Sequence, residues 1–268
     1  MTTANPLLDP APSEVPLAHA PLANVLCAVS FPAILKILDP SGASIAPFQE
    51  AVRRDYPTLT QETEHAFSFQ FDEKGGVAPQ AVANTVWRFL DRDKKWRVSL
   101  SRDVLALETQ QSYTSRTEFL RHFERLTDAF IEAFDPASCT RVGVRYVNVI
   151  GGKHLAKLSK FVRPEFRSFG TPPFLEHLTV CNQGAEFAVP EGRLIVRSGI
   201  LKPGQSHDPN TLAPAEDERY FLDLDANNNV AQDFTTPGIR ASVTELSERA
   251  YSMFRGAVTD AFLEACNA

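Results

Sequence analysis

The stretch TRVGVRYVNVI, residues 140–150, lies near the middle of the chain and alternates as a β-strand does. Successive side chains of a strand point to opposite faces of its sheet. One face therefore carries Val142, Val144, Tyr146, Asn148 and Ile150, and the other carries Arg141, Gly143, Arg145, Val147 and Val149. A strand buried on one face only reads apolar against polar, whereas both faces here are mixed. The pattern predicts a central strand that is covered on both faces.

The polar groups on this strand have two interpretations. In the structural one, Arg145 is ion-paired and Asn148 is hydrogen-bonded inside the protein, because buried polar groups are usually satisfied by their neighbours. In the functional one, the same groups line a polar pocket. The candidate ligand-binding residues are Arg141, Arg145, Tyr146 and Asn148.

The composition is that of a globular protein with an acidic balance. The 268 residues are enough for one large domain or two small ones. The net charge of −6 argues against a general nucleic-acid surface, although it leaves room for a local basic patch. No apolar run approaches the roughly 18 residues of a membrane span, and the N-terminus lacks the pattern of a signal peptide. The four cysteines are far apart, which predicts reduced thiols in a cytoplasmic protein.

Hydrophobic periodicity divides the rest of the chain into strands and helices. Strands are predicted over residues 21–31, 65–71, 178–181, 193–200 and 219–225, with a meander over residues 85–109. In the second of these, Phe67, Phe69 and Phe71 alternate with polar residues, and Gly75-Gly76 ends the strand. A short helix is predicted over residues 46–56, where Pro57 stops it.

Two long amphipathic helices complete the pattern, each with a Ser-x-x-Glu capping box. The first begins at Ser115 and carries an apolar stripe in which Phe123 and Phe130 occupy the middle, so these two are predicted to be core. The second is predicted over residues 241–266, with its capping box at Ser242. The segment over residues 203–216 predicts a long loop, because it is rich in Pro, Gly, Asn and Asp.

Two short matches at one offset of 132 residues indicate an internal duplication. TDAFIEA at residues 127–133 matches TDAFLEA at 259–265, and RFLDRD at 88–93 matches YFLDLD at 220–225. Repeats of this kind bear on the whole fold assignment. The sequence thus predicts an α+β fold of antiparallel sheet units, each covered by a long helix. We predict that residues 1–20 form a flexible N-terminal arm, 21–136 the first sheet-plus-helix unit and 137–268 the second, packed with the first as one globule.

Several stretches together resemble a known family. They are PLANVLCAVSF near the start, FQEAVRRDYP, the central RVGVRYVNVI, YFLDLD and the closing amphipathic helix. With these the chain resembles a sporadically distributed family of bacterial proteins of about this length, marked by an Arg-Tyr-x-Asn strand, over nearly all of the sequence after Ala20. The resemblance implies a cytoplasmic bacterial protein. It supplies no mechanism and no catalytic residues.

The motifs of metal and phosphate chemistry are weak or missing in the sequence. Asp223, Asp225 and Asn227 begin like a calcium loop, but position six is Asn228 rather than Gly and position twelve is Phe234 rather than Glu. The six histidines show no zinc spacing, and no Walker loop, G-x-G-x-x-G or G-x-S-x-G occurs. Asp223, Asp225 and Asn227 are therefore only weak metal candidates, and no cofactor is predicted.

Two functions remain open. The first is a non-catalytic binding or assembly component, for example of a bacterial accessory or defence system, with a protein partner or self-association. The second is an enzyme or sensor that acts on a nucleotide or phosphorylated ligand, with Arg145 holding phosphate and Asp223 and Asp225 holding a metal. Arginine suits an anionic ligand because its fork pairs two oxygens at once. Convergence of Arg145, Asn148 and Asp223 on one pocket would favour the second function.

Overall fold

Strands and helices occupy most of the part of the chain that the structure describes. This computed structural model describes residues 5–39, 41–71, 77–110 and 112–268, without the side chains of 64–71 and 77–83. The strands are β1 (Leu22–Ser30), β2 (Thr58–Phe71), β3 (Val77–Leu90), β4 (Trp96–Leu100), β5 (Val104–Gln110), β6 (Ser138–Cys139), β7 (Arg141–Gly151), β8 (Cys181–Val189), β9 (Gly192–Leu201), β10 (Arg219–Asn228) and β11 (Gln232–Asp233). The α-helices are α1 (Ala46–Val52), α2 (Arg116–Phe134), α3 (Leu158–Phe161), α4 (Pro164–Arg167), α5 (Thr236–Ala257) and α6 (Asp260–Ala265). Short 3₁₀ helices span Leu35–Leu38, Gly152–Lys157 and Leu175–His177.

One large antiparallel sheet organises the molecule, so the fold is α+β as predicted. Its strand order is β2-β3-β4-β5-β1-β7-β10-β9-β8, and β6 pairs with β11 in a separate ribbon. The central strand of the sequence is β7, which pairs with β1 on one side and with β10 on the other. The chain therefore joins its two halves through the β1–β7 pair, in the middle of the sheet.

The face of the sheet that carries Tyr146 and Asn148 is packed by helices, and we call it the helix face. Helix α5 contacts β7 and β10. Phe119 of α2 stacks on Trp96 of β4, with 5.8 Å between ring centroids. Phe123 and Phe130 of α2 are both buried in the main core, as their position in the apolar stripe predicts.

The opposite face, which we call the open face, carries Arg141 and Arg145 of β7. Over the second half of the sheet, the loop between β9 and β10 crosses this face. Its Leu212 packs with Val147, Leu201 and Phe221 in a small core separate from the main one. Over the first half, the described residues leave a broad groove instead.

The segment predicted as a flexible arm follows the surface of the C-terminal helices from residue 5 onwards. The backbone N–H of Val15 donates to the hydroxyl of Tyr251 at 2.9 Å, and that of His19 donates to the carbonyl of Cys266 at 2.9 Å. Arg249 of α5 donates to the carbonyl oxygens of Pro6 and Asp9. These contacts dock the arm against α5 and α6.

The predicted C-terminal helix over residues 241–266 is wrong in its bounds. Thr235 caps α5 by accepting a hydrogen bond from Gly238 N–H at 3.3 Å, so the helix begins before Ser242, which lies inside it. The helix ends at Ala257, because Val258 is extended and bridges Val162. A separate α6 follows. The break depends on a tertiary contact with the segment after α3, which hydrophobic periodicity does not report.

Other predicted elements match with smaller differences. Ser115 caps α2 as predicted, accepting from Glu118 N–H at 3.2 Å. The strand predicted over residues 178–181 is wrong, since β8 begins at Cys181. The alternating stretch 65–71 falls within β2, although its side chains and the predicted stop at Gly75-Gly76 lie outside the described residues.

The two halves of the sheet repeat one order of strands. From the centre outwards, the first half runs β1-β5-β4-β3-β2 and the second runs β7-β10-β9-β8. Within each half, the first strand therefore pairs with the last. The sequence matches at offset 132 do not fall on corresponding elements of the two halves. RFLDRD covers the end of β3, whereas YFLDLD lies in β10. TDAFIEA lies inside α2, whereas TDAFLEA covers α6.

Candidate functional site

The four ligand-binding candidates on β7 do not form one site. Arg141 and Arg145 lie on the open face, whereas Tyr146 and Asn148 lie on the helix face, as the alternation of a strand requires. Tyr146 donates its hydroxyl hydrogen to Ser247 of α5 at 3.0 Å. Asn148 is buried and donates to the carbonyl of Leu222 at 3.2 Å. Asn148 and Asp223 therefore lie on opposite sides of the sheet.

Arg145 and Asp223 form a buried ion pair on the open face. The guanidinium donates from Nε to Oδ1 of Asp223 at 2.9 Å and from Nη2 to Oδ2 at 2.7 Å. Its third nitrogen, Nη1, donates to Asp208 in the β9–β10 loop at 2.8 Å. Paired, two-pronged contacts of this kind fix geometry as well as charge. Each nitrogen of the Arg145 guanidinium is thus bonded within the protein.

Asp223 collects further donors around a fully buried carboxylate. His207 lies 3.1 Å from its Oδ2, and Arg197 of β9 lies 3.4 Å from the same oxygen. The His207 ring stacks on Phe221, with ring centroids 4.2 Å apart. This arrangement fastens the β9–β10 loop to the sheet through Asp208, His207 and the stacked ring.

The pKa values follow from this geometry. Burial by itself would raise the pKa of Asp223, but the hydrogen bonds and charges of Arg145 and His207 outweigh it and lower the pKa to about 2. Burial would likewise raise the pKa of Asp208, yet Arg145 holds it below its ordinary value. For Arg145, burial lowers the pKa and the two carboxylates raise it, with a net upward shift. All three groups are therefore charged at neutral pH.

The weak metal candidates Asp223, Asp225 and Asn227 share the open face of β10. Asp223 is enclosed by cationic and imidazole groups, Arg141 lies 3.7 Å from Asp225, and Asn227 donates to Asp225 at 3.3 Å. Among the described residues, no group of three or more His, Cys, Asp or Glu side chains is placed to hold a metal ion. Neighbouring guanidinium groups make this set electrostatically unfavourable for a cation.

A second buried acid, Glu108 of β5, was not identified from the sequence. It accepts from Nε of Arg97 on β4 at 2.9 Å and from the amide of Asn24 on β1 at 2.7 Å. The same amide donates to the carbonyl of Thr211 at 2.7 Å, which fastens the middle of the β9–β10 loop. A single carboxylate in the apolar stretch VLALET was the available signal.

The groove on the open face, which we call the sheet groove, lies beside Glu108. It has a volume of about 720 Å³. Ala28, Ala106 and Ser99 are register partners across β1, β5 and β4, so small side chains form its floor. Charged and polar side chains surround that floor, and residues of the β9–β10 loop form one wall. The lining also includes Glu62, Asn84, Arg88, Arg97, Ser101, Asp103, Glu108, Gln110, Pro209, Asn210 and Thr211.

The charges of the sheet groove are of both signs and are internally paired. Arg88 lies 3.1 Å from Glu62 and also bonds Ser99, and Arg97 pairs with Glu108. The groove thus presents hydrogen-bonding capacity with little net charge.

Comparison with known proteins adds no assignment. No protein-family model matches the chain, and no curated protein matches its sequence at a significant level. In the described part of the chain, no helix has the length and apolar character needed to cross a membrane.

Proposed function

We propose that the protein is a non-catalytic cytoplasmic binding component that receives a segment of a partner protein in the sheet groove. The observation that carries this proposal is the difference between the two halves of the open face. The β9–β10 loop covers the second half with its own small core, whereas strands β1–β5 carry the groove. An open concave surface of this size is suited to a macromolecular segment.

The chemistry of the groove favours a protein over a polyanion. Its arginines are matched by carboxylates, and the chain as a whole has a net charge of −6. A phosphate backbone would require unpaired cationic groups, because counterion release dominates its binding. A polypeptide segment carries both donors and acceptors, which suits a paired polar surface.

Binding of a nucleotide or phosphorylated ligand at Arg145 has less support. The three guanidinium nitrogens of Arg145 already donate to Asp223 and Asp208. An anion there would have to displace a fully buried carboxylate. Binding of a nucleotide or phosphorylated ligand therefore remains the second candidate function, at a site other than Arg145.

The cysteines and the family resemblance support the proposed cytoplasmic location and the proposed role in an accessory system. All four cysteines are free and buried, which agrees with a reducing cytoplasm. The resemblance to a sporadically distributed bacterial family supports a component of an accessory or defence system. We include self-association, in which a second copy supplies the segment, within the same proposal.

We also propose that the two halves arose by duplication as sheet-plus-helix units. Two observations support this. The order of strands from the centre outwards corresponds in both halves. In addition, each half places a buried acid on its last strand, opposite an arginine on the preceding strand: Glu108 is the register partner of Arg97, and Asp223 that of Arg197.

The first strand of each half extends the correspondence. Leu26 pairs with Glu108 and Val147 pairs with Asp223. Asn24 lies two positions before Leu26 and reaches diagonally to Glu108. Arg145 lies two positions before Val147 and reaches diagonally to Asp223. On this alignment Asn24 corresponds to Arg145, and both also fasten the β9–β10 loop.

The binding proposal is tested by site-specific photo-crosslinking in the cells that produce the protein. A photoreactive phenylalanine analogue replaces Ala28, which is half-buried in the groove floor. The control carries it at Ala188, an exposed alanine at the far edge of the sheet in β8. We expect a discrete crosslinked protein, or a crosslinked dimer, from position 28 and none from position 188.

The proposal fails if position 28 gives no product while the protein is folded. It fails equally if positions 28 and 188 give the same diffuse set of products. Mapping the crosslinked peptide by mass spectrometry distinguishes a partner protein from a second copy.

A further inference from the structure

A second cavity lies on the helix face, away from the sheet groove. It has a volume of about 250 Å³, is open to solvent at one side and is bordered by the N-terminal arm, the start of α2 and the middle of α5, with the centre of the sheet as its floor. Its apolar lining includes Val15, Leu17, Leu22, Leu224, Ala250 and Phe254. Tyr146 and Asn148, which the central strand contributes to this face, are at the floor.

The polar groups of this cavity converge from three elements. Tyr113 meets Tyr146 edge-on, with 6.2 Å between ring centroids, and Tyr146 donates to Ser247. Asn148 uses its amide nitrogen for the carbonyl of Leu222, and no described group donates a hydrogen bond to its amide oxygen. Asn148 as a whole is only 4 % exposed, and its amide oxygen lines the cavity as an acceptor without a protein partner.

The hydroxyls of this cavity stay protonated over the physiological range. Burial raises the pKa of Tyr146 to about 12, and burial together with the neighbouring Tyr146 raises the pKa of Tyr113. At the mouth, Arg116 lies 3.0 Å from Glu14 of the arm and 3.1 Å from Glu248 of α5. Two carboxylates thus compensate one guanidinium, and the cavity offers no spare positive charge to an anion.

We propose that this cavity binds a small neutral molecule with an aromatic or bulky apolar body and one hydroxyl or N–H group, which donates to the amide oxygen of Asn148. The apolar lining receives the body, and Arg116, already paired with Glu14 and Glu248, leaves no spare positive charge for an anionic group. Cavities that bind small ligands combine a mostly apolar lining with a few placed polar groups. This site is distinct from the sheet groove and does not depend on the function proposed for it.

The volume sets the size of the ligand. An apolar cavity of about 150 Å³ accommodates benzene. The larger space here is suited to a fused two-ring system. The probe series is therefore 2-naphthol, naphthalene and 2-naphthoate, which share one body and differ in the polar group.

Isothermal titration of the full-length protein with the three probes at neutral pH is the first measurement. We expect 2-naphthol to bind more tightly than naphthalene by roughly 2- to 10-fold, the worth of one hydrogen bond. We expect 2-naphthoate to bind least, because its charge would be buried without a partner.

The variants locate the site. Asn148→Leu should abolish the preference for 2-naphthol over naphthalene, and Ala250→Phe should remove binding of both. Asn24→Leu is the matched control for the first, since Asn24 is an equally buried asparagine on the open face. Ala188→Phe is the control for the second, since that residue is exposed on β8. Both controls should bind as the wild type does.

Equal affinity for 2-naphthoate, a preference that survives Asn148→Leu, or no binding of any probe would each overturn the proposal. If Ala250→Phe does not fold, nuclear Overhauser contacts in the wild type replace it. Contacts from 2-naphthol to the methyl groups of Leu17, Leu22 and Leu224 support the site, and contacts to other residues alone refute it.

Discussion

The contacts of Arg145 decide between the structural and the functional interpretation of the central strand. It lies on the central strand, where an isolated guanidinium would be very costly to bury. The structure supplies Asp223 as a bidentate partner and Asp208 as a second one. The buried charge is therefore satisfied internally, which is the structural interpretation. The amide nitrogen of Asn148 is likewise hydrogen-bonded within the protein, whereas its amide oxygen accepts no hydrogen bond from a described group.

We predict that Arg145→Ala lowers the free energy of unfolding by roughly 3–5 kcal/mol, because it leaves the buried carboxylate of Asp223 without its main partner. Arg141→Ala is the matched control. Arg141 is 3.7 Å from Asp225 and more exposed, so its loss should cost less than about 1 kcal/mol. Urea denaturation at neutral pH measures both. A wild-type midpoint for Arg145→Ala would show that the pair contributes nothing to folding.

The acid dependence of stability should contain a contribution from Asp223. Its pKa falls from an ordinary 3.8 to about 2 on folding. A depressed carboxyl pKa stabilises the folded state above the unfolded value and loses that effect as pH falls through the folded value. The difference corresponds to about 2 kcal/mol, which the wild type should lose as the pH falls from about 4 to about 2.

Asp223→Asn should remove this part of the pH dependence while lowering stability at neutral pH. Asp233→Asn, which changes an exposed aspartate, serves as the control and should keep the wild-type slope. Denaturation curves at several pH values measure the slopes. Identical slopes for the wild type and Asp223→Asn would contradict the assignment.

At the scale of single elements, the helices combine local signals with tertiary ones. Ser115 and Thr235 both cap their helices through a side-chain oxygen, and both helices bury one apolar face. The end of α5 is different. Val258 leaves the helix to bridge Val162, and Thr259 donates to the carbonyl of Lys160 at 2.7 Å. That end is decided by the chain segment packed beside it.

Phe130 should contribute most strongly among the residues of the α2 stripe. It is fully buried and packs against Phe31, with ring centroids 4.7 Å apart. Phe130→Ala should cost roughly 3–5 kcal/mol through lost burial and the cavity left behind. Phe174→Ala, the same substitution at a residue 56 % exposed, should cost less than about 1 kcal/mol. Equal effects in equilibrium denaturation would place the stripe at the surface.

The start of α5 gives a second prediction for an element. Thr235→Ala removes the cap and should destabilise the protein by about 1 kcal/mol. Thr244→Ala lies inside the same helix, where alanine is a better helix former, so it should be neutral or slightly stabilising. Thermal unfolding distinguishes the two. A destabilisation of equal size by both would indicate that the cap contributes nothing special.

At the scale of the whole molecule, the β1–β7 pair joins two halves of similar strand order into one sheet. The main core is a single cluster that includes residues of both halves. The halves should therefore unfold together, since neither can expose its central strand without disturbing the other.

The two tryptophans test this cooperativity, because Trp87 and Trp96 both lie in the first half. Arg145→Ala alters only the second half. We expect it to lower the midpoint of unfolding seen by tryptophan fluorescence as much as that seen by far-ultraviolet circular dichroism. A fluorescence midpoint that stays at the wild-type value would mean that the halves unfold independently.

Local chemistry in the sequence determined the central strand, the alternation of its faces, the cap at Ser115 and the buried stripe of α2. Strand alternation and helical periodicity are properties of neighbouring residues, so they can be read without a fold. Even the opposite placement of Arg145 and Asn148 follows from alternation alone. Only the tertiary structure decided which partners those side chains meet. Asp208, which accepts from Arg145, lies in a loop with no periodicity, and Asp223, the other partner of Arg145, is 78 residues away along the chain. The sheet groove, the cavity beneath the arm and the break after α5 likewise arise between segments distant in sequence, where no local pattern records the contact.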